Sequence, residues 1–293
     1  MRMDGQEESS NVEDVRGRSG GGGGGFGFGG RSIGVGSVVV AVVAGWIFGI
    51  NPLTLLGLVG GSDGGGQVAQ QSQGPAPGPP AGDLEGKFVS QVLRSTEVVW
   101  TEVFRESGRT YKPPKLVIFT GSYPTACGQG QAAMGPFYCP NDDKVYIDLR
   151  FYRVLEQKLG APGQFAQAYV IAHEVGHHVQ NQLGIMEKVD AARGRGGEAQ
   201  ANALSVRVEL QADCFAGVWA ARSQKEQKWL DPGDIESAMN TAAQIGDDTL
   251  QKKSQGAVVP ETFTHGSSAQ RVSWFKRGVD GGNIERCNTF EQR

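Results

Sequence analysis

Apolar side chains recur at helical spacing in two long stretches of the chain. Residues 83–108 carry them three and four positions apart behind Asp83, a residue type that caps helix N-termini. Residues 163–182 are apolar on both sides of a short polar turn, and Gly184 follows as a stop signal. Both stretches are predicted to be helices.

Shorter apolar runs at residues 115–120 and 144–149 are bounded by turn residues and predict strands, with a glycine-rich loop between them. Helical patterns follow at residues 201–222, from Pro232 onward, and at 268–277. Because strands come first and helices afterwards, we expect an α+β domain with a small N-terminal sheet and a helical C-terminal half.

The first 31 residues are polar and then almost pure glycine. Such a composition buries too little apolar surface to offset its ordering entropy, so residues 1–31 are predicted to be a disordered tail. A phosphate-binding loop is excluded, because no strand precedes the glycines and no Gly-Lys-Ser/Thr follows them.

A stretch without charged residues follows, and residues 32–60 are apolar enough to span a bilayer as one transmembrane helix, although Asn51-Pro52 could end or kink it. Arginines precede this segment at positions 2, 16, 18 and 31, whereas no Lys or Arg follows it until Lys87. The positive-inside rule then predicts a cytoplasmic N-terminus and an extracytoplasmic domain on the cell membrane. A cleaved signal peptide is the alternative, but the polar leader is long and no clear cleavage site follows.

Residues 61–82 are rich in Gly, Gln, Pro and Ser and predict a flexible linker, which leaves residues 83–293 as the globular domain. The formal net charge of -3 and the isoelectric point near 5.9 give no basic footprint. Nucleic acid is therefore not an expected partner.

The polar turn in the helix over 163–182 is His173-Glu174-Val175-Gly176-His177, an H-E-x-x-H motif. Residues four apart on a helix share a face, so both imidazoles can bind one zinc ion, with Glu174 beside them as a base. The non-functional alternative is an exposed polar turn of a core helix.

His178 lies about 100° round the helix from His177. We expect it to be a surface group or a support for the site, and not a ligand.

A catalytic zinc site needs a third protein ligand. Glu209 and Asp213 lie four apart on the helix over 201–222, so Glu209 is predicted to bind zinc while Asp213 accepts a hydrogen bond from the outer nitrogen of His173. Glu198 is the competing third ligand, and a solvated acidic helix face is the non-functional alternative.

Several separate motifs together resemble one bacterial family, the putative neutral zinc metallopeptidases. These motifs lie at residues 135–140, 145–148, 168–180, 205–219 and 263–268 and follow the same order as in the family. The resemblance extends from about residue 83 to residue 290, and residues 8–14 also look similar. The resemblance implies a membrane-anchored zincin of the gluzincin type, with Zn²⁺ bound by His173, His177 and Glu209 and with Glu174 as the base.

Four cysteines in a domain outside the cytoplasm are most simply two disulfides. Three pairings are possible, and one joins Cys127 to Cys139 and Cys214 to Cys287. Cys214 as a zinc ligand is the alternative, because it adjoins Asp213.

His265 is either a surface histidine or a catalytic group that donates a hydrogen bond to the developing oxyanion. Tyr138 and Tyr146 are weaker candidates for that role, with packing in strands the simpler account of both. Arg271 could pair with a carboxylate of the site or with a substrate.

These observations predict a membrane-anchored hydrolase of peptide bonds in a peptide or protein substrate. The segment 135–138 or the strand at 144–149 could pair with an extended substrate by strand addition. Two other functions are open: a non-catalytic zinc protein of the cell envelope, and a hydrolase of envelope amides other than peptides. Glu174 disfavours the first, because a structural zinc site needs four protein ligands and no base.

Overall fold

The computed structural model describes residues 1–3, 5–17, 76–132 and 135–291. The strands of these residues are β1 (Val12–Asp14), β2 (Lys115–Ile118), β3 (Ser122–Thr125), β4 (Gly128–Gln131), β5 (Phe137–Cys139) and β6 (Lys144–Ile147). Their helices are α1 (Leu84–Glu106), α2 (Arg150–Gln157), α3 (Gln164–Gln182), α4 (Ile185–Arg193), α5 (Glu198–Gln227), α6 (Asp234–Gln244), α7 (Asp247–Gln255) and α8 (Ser268–Gly281). Small sheets followed by a helical half confirm the predicted α+β class.

The main sheet has the strand order β1-β2-β6-β5. β1, β2 and β6 are parallel, whereas β5 runs antiparallel to β6, and β3 and β4 form a separate hairpin. Because β6 is paired on both sides, the prediction that the strand at 144–149 could receive a substrate at its edge is wrong. β5, which contains Phe137 and Tyr138 of the alternative segment 135–138, is an edge strand.

The N-terminal residues differ from the sequence prediction. The composition over 1–31 predicts disorder, but residues 12–14 form β1, and Met3, Val12 and Val15 are buried against the domain. The average over 31 residues conceals this, because the apolar anchors precede the glycine run that dominates the composition. Residues 18–31 lie outside the described part of the chain.

The predicted anchor at 32–60 and most of the linker at 61–82 also lie outside the described residues. Among the helices that are described, none combines the length and the apolar character needed to cross a bilayer. The transmembrane helix therefore stays a prediction from sequence, and so does the zincin-like topology.

The helical half is built around α5, which packs against α3 on one side and α8 on the other. α3 is buried along almost its whole length, from Phe165 to Gln180, so its polar residues must find partners inside the protein. α1 begins as predicted, with the Asp83 side chain accepting a hydrogen bond from the backbone N–H of Gly86.

Two disulfides fix the ends of this architecture. Cys127 pairs with Cys139 between the hairpin and β5, and Cys214 on α5 pairs with Cys287 in the C-terminal segment. Since the sulfur of Cys214 is already bonded, the alternative that Cys214 is a zinc ligand is wrong.

Candidate metal centre

α3 and α5 cross at the point where α3 carries the H-E-x-x-H motif. A Cβ on Gly176 would lie 3.1 Å from the carbonyl oxygen of Ala212 and 3.2 Å from its Cα. The absence of a side chain at Gly176 therefore lets the backbone of α5 approach the motif closely. This approach brings Glu209 of α5 to the histidine face of α3.

Three donor side chains converge there. The Nε2 atom of His173 lies 3.1 Å from one carboxylate oxygen of Glu209, and the Nε2 atom of His177 lies 3.5 Å from the other. One ligand atom from each of these residues falls within 4.8 Å of the others. Glu198, the competing candidate, is exposed in the first turn of α5, roughly 16 Å along the helix from Glu209 at 1.5 Å per residue.

His173 is held from behind by Asp213. Its Nδ1 lies 2.9 Å from Asp213 Oδ1, as the four-residue spacing of Glu209 and Asp213 predicts. Arg271 on α8 also donates to Asp213, from Nε to Oδ2 at 2.8 Å and from Nη2 to Oδ1 at 2.9 Å. Tyr169, one turn before His173, donates its hydroxyl to the same carboxylate. The structure thus assigns Arg271, which the sequence leaves open, to this buried carboxylate.

His177 has a different support, which the sequence does not indicate. Its Nδ1 lies 2.9 Å from Oε1 of Gln180, and Gln180 Nε2 donates to the backbone oxygen of Val208 at 2.7 Å and to Gln211 Oε1 at 3.0 Å. Gln211 then donates to the backbone oxygen of Cys287 at 2.9 Å. The one sequence signal for this series of hydrogen bonds is the presence of two glutamines, Gln180 and Gln211, on helices that are otherwise largely buried.

The pKa values of His173 and Glu209 depend on their burial and on the charges that lie close to them. Burial lowers the pKa of His173, but the hydrogen bond with Asp213, the charge of that carboxylate and the hydrogen bond with Glu209 together outweigh burial and raise that pKa to about 10. Burial raises the pKa of Glu209, yet the charge of His177 and the hydrogen bonds to both histidines hold it well below its usual range. Since zinc binds neutral imidazole, a zinc ion would compete with protons for this site.

Glu174 lies on the same helix between the two histidines, and all three are nearly buried, with 8%, 6% and 8% exposed for Glu174, His173 and His177. Burial raises the pKa of Glu174, and the charges of the two histidines act in the opposite direction. A carboxylate with a raised pKa is a better proton acceptor near neutral pH than an ordinary surface glutamate.

His265 lies in the loop before α8, which packs directly on α5. A Cβ on Gly266 would be 3.2 Å from Val206 Cγ1 and 3.3 Å from Leu210 Cδ2, next to Glu209. The His265 Nδ1 is 3.2 Å from Asp247 Oδ1, and the backbone N–H of His265 donates to Asp247 Oδ2 at 2.6 Å. Desolvation lowers the pKa of His265, but the hydrogen bond to Asp247 and the charge of Glu209 raise it overall.

The remaining candidates have structural partners. His178 is buried, contrary to a surface position, with Nδ1 3.1 Å from the Tyr138 hydroxyl and Nε2 2.7 Å from the backbone oxygen of Lys112. Tyr138 donates to Asp143 at 2.8 Å, and Tyr146 donates to Asp142 at 2.7 Å. These bonds join β5 and β6 to neighbouring loops and to α3, which supports the packing interpretation of both tyrosines.

The donor set fits zinc. Two imidazole nitrogens and one carboxylate oxygen are the protein ligands of many catalytic zinc sites, which keep the fourth position open. Both outer nitrogens are engaged by Asp213 and Gln180, so the Nε2 atoms are the ones that converge on Glu209. Such outer hydrogen bonds are typical of histidines that bind metal.

Comparison with known proteins agrees with this chemistry. The family model described as putative neutral zinc metallopeptidase matches residues 1–290. The chain is 51% identical over 290 residues to the uncharacterized protein YpfJ of Escherichia coli strain K12, covering 99% of each chain. It is 42% identical over 206 residues to the uncharacterized protein Rv2575 of Mycobacterium tuberculosis strain H37Rv, covering 67% of each. No solved structure matches.

Proposed function

The chain belongs to the putative neutral zinc metallopeptidase family, and from that premise we propose that it hydrolyses peptide bonds with one zinc ion held by His173, His177 and Glu209. The observation that carries the proposal is the convergence of these three ligand atoms within 4.8 Å of one another, with Glu174 between the two histidines on α3. A site with three protein ligands and an adjacent carboxylate favours catalysis over a purely structural role.

Zinc, when bound there, supplies a water of lowered pKa and polarises the scissile carbonyl. Glu174 takes a proton from the attacking water and passes it to the leaving amine. His265 donates a hydrogen bond to the carbonyl oxygen as negative charge develops on it. Asp213 and Gln180 hold the two histidine rings, so the ligand atoms need little rearrangement during the reaction.

The substrate in this proposal is a peptide or protein bound in an extended form. β5 is an edge strand and is joined to α3 through the hydrogen bonds of Tyr138 with His178 and Asn181. Strand addition at an edge uses backbone hydrogen bonds and selects little for sequence. The apolar residues 32–60 would attach the enzyme to the cell membrane.

The test uses the full-length protein in detergent, incubated with a complex peptide mixture whose new termini are identified by mass spectrometry. Glu174→Gln should keep its zinc and lose activity by roughly 10²- to 10⁴-fold, because the volume is preserved while the base is removed. Near-normal cleavage by this variant would eliminate the mechanism. Cleavage by the wild type of envelope amides but not of peptides would replace the proposed substrate class.

Metal analysis after dialysis separates the ligands from their neighbours. Glu209→Ala should lose most of its zinc, whereas the matched change Glu198→Ala on the same helix should retain it. The reverse pattern would show that Glu198 is the third ligand.

A further inference from the structure

Residues 1–17 are built into the globular domain through its main sheet. β1 is parallel to β2, with Val12 beside Leu116 and Asp14 beside Ile118. The ladder extends past the strand at both ends, because the Leu116 N–H donates to the Asn11 oxygen and the Val15 N–H donates to the Ile118 oxygen, each at 2.9 Å. β1 therefore completes one edge of the sheet.

Polar groups of α1 also depend on this segment. Glu97, which is nearly buried, accepts hydrogen bonds from the Ser9 hydroxyl at 2.6 Å and the Asn11 side chain at 2.8 Å. Ser90 donates to the backbone oxygen of Ser9 at 2.9 Å. A buried carboxylate without these donors would be costly, so α1 and residues 9–11 form one unit.

Charges connect β1 to two other strands. The Glu13 carboxylate receives Lys115 of β2 at 2.7 Å on one oxygen and Lys144 of β6 at 2.9 Å on the other. Burial raises the pKa of Glu13, but the two lysines lower it overall. One carboxylate thus lies between two neighbouring lysines and offsets part of their mutual repulsion.

The chain leaves and re-enters the described fold at one place. The Asp14 N–H donates to the Pro77 backbone oxygen at 2.8 Å, and Arg16 pairs with Asp83, the residue that caps α1. The residues before position 18 and those after position 75 are therefore in direct contact.

We infer that residues 1–17 and the globular domain lie on the same side of the membrane as one folded unit. A strand cannot pair across a bilayer, so residues 17 and 76 lie on the same side of the membrane as the sheet. This arrangement competes with the cytoplasmic N-terminus and extracytoplasmic domain expected from the arginines. It does not depend on the proposed peptidase activity.

Two of the arginines behind that expectation have roles within the fold. Arg2 binds Asp231 at 3.1 Å and the Lys228 backbone oxygen at 3.1 Å, and Arg16 binds Asp14 and Asp83. The positive-inside rule counts charges that flank a membrane segment and does not distinguish those that a folded domain uses.

Sidedness can be measured with two single substitutions in the full-length chain. Ser10→Cys and Ser273→Cys place thiols at exposed positions, one in the N-terminal segment and one on α8. The four native cysteines are all paired, so the background of free thiols is low. Each variant is treated with a membrane-impermeant maleimide in intact spheroplasts and again after permeabilisation.

Equal labelling of both positions in intact spheroplasts supports the inference and places the unit outside. Labelling of both only after permeabilisation supports it and places the unit inside. Labelling of one position in intact spheroplasts and of the other only after permeabilisation overturns it.

A second experiment tests whether the contact stabilises the domain. Glu13→Lys in the full-length protein puts a third positive charge beside Lys115 and Lys144 and should lower the Tm of the domain by roughly 2–4 °C. Glu8→Lys, at an exposed position of the same segment, is the matched control and should leave the Tm unchanged. An unchanged Tm in Glu13→Lys would show that β1 does not pair with the domain and would overturn the inference.

Discussion

Arg271 connects α8 to the back of the metal centre through one buried carboxylate. Its fork holds both oxygens of Asp213, at 2.8 and 2.9 Å, while Asp213 holds His173. A bidentate pair fixes the orientation of the carboxylate as well as its charge. Arg271 is therefore a positioning residue for His173, a proposed zinc ligand, which it supports through Asp213.

Arg271→Lys should keep the charge and lose the fork, which a lysine cannot reproduce. We expect zinc affinity, measured by competition with a chelator, to fall by roughly 10- to 100-fold, with a changed absorption spectrum of the cobalt-substituted protein. Arg222→Lys is the control, because Arg222 of α5 makes a comparable fork with Glu106 of α1, 13 residues along α5 from Glu209. Equal zinc affinity in Arg271→Lys and the wild type would contradict this role.

The pH dependence of activity should reflect the protonation of the His265 ring. With Nδ1–H bonded to Asp247, Nε2 can donate only while the ring is protonated, and the raised pKa keeps it protonated above its ordinary value of 6.5. Activity should therefore be present below the raised pKa and be lost as pH rises through it.

His265→Ala should lower kcat/KM by roughly 10²- to 10³-fold without loss of zinc. His265→Gln, which retains a donor that does not titrate, should recover part of the activity and lack the alkaline decline. An unchanged alkaline decline in the Ala variant would show that another group titrates.

The sequence predicts the candidate metal ligands better than the residues that support them, for a physical reason. His173 and His177 are related by helix geometry alone, and so are Glu209 and Asp213, so their spacing predicts shared faces. The partners Arg271 and Gln180 depend on how helices cross and which loops return. No local pattern specifies those contacts.

At the scale of elements, the crossing of α5 and α8 depends on two glycines in backbone contact. A Cβ on Gly217 would lie 2.1 Å from the Phe275 oxygen and 2.8 Å from the Val279 nitrogen, and one on Gly278 would lie 2.0 Å from the Cys214 oxygen. These are backbone atoms, so the helices would have to separate to admit even one methyl group.

Gly217→Ala should destabilise the protein by about 1–3 kcal/mol or more, since overpacking displaces the backbone. Because α8 carries Arg271, zinc affinity should fall as well. Thermal unfolding and chelator competition measure the two effects. Gly194→Ala is the control, because Gly194 has a helical φ of -65° and a Cβ added there would lie 3.9 Å from its nearest neighbour, the Asp190 backbone oxygen. Similar behaviour of the two variants would contradict the close crossing.

Long periodic elements are predicted well and short ones are not. α3 and α1 match their predicted ranges closely, and α5 begins three residues earlier and ends five residues later than the predicted 201–222. β1, with three residues, and the hairpin β3–β4 are absent from the sequence prediction. A strand of three residues has too little alternation to be recognised, and its partner in β2 is about 100 residues away.

At the scale of the whole molecule, the Cys214–Cys287 disulfide is linked to the metal centre by hydrogen bonds. The backbone oxygen of Cys287 accepts from Gln211, Gln211 accepts from Gln180, and Gln180 bonds to Nδ1 of His177. The Cys127–Cys139 disulfide closes a loop at β5 and has no such connection among the described contacts.

Replacing both Cys214 and Cys287 by Ala should lower stability by roughly 2–4 kcal/mol and also weaken zinc binding about 10-fold. The C-terminal segment would no longer be fixed to α5, and Gln211 would lose a defined acceptor. Replacing Cys127 and Cys139 by Ala should lower stability alone. Denaturant unfolding measures the stability of both double variants, and chelator competition measures their zinc affinity. In the wild type, thiol labelling of the denatured, unreduced protein should detect no free cysteine. Equal zinc affinities in the two double variants would show that the hydrogen-bonded chain from Cys287 does not support His177.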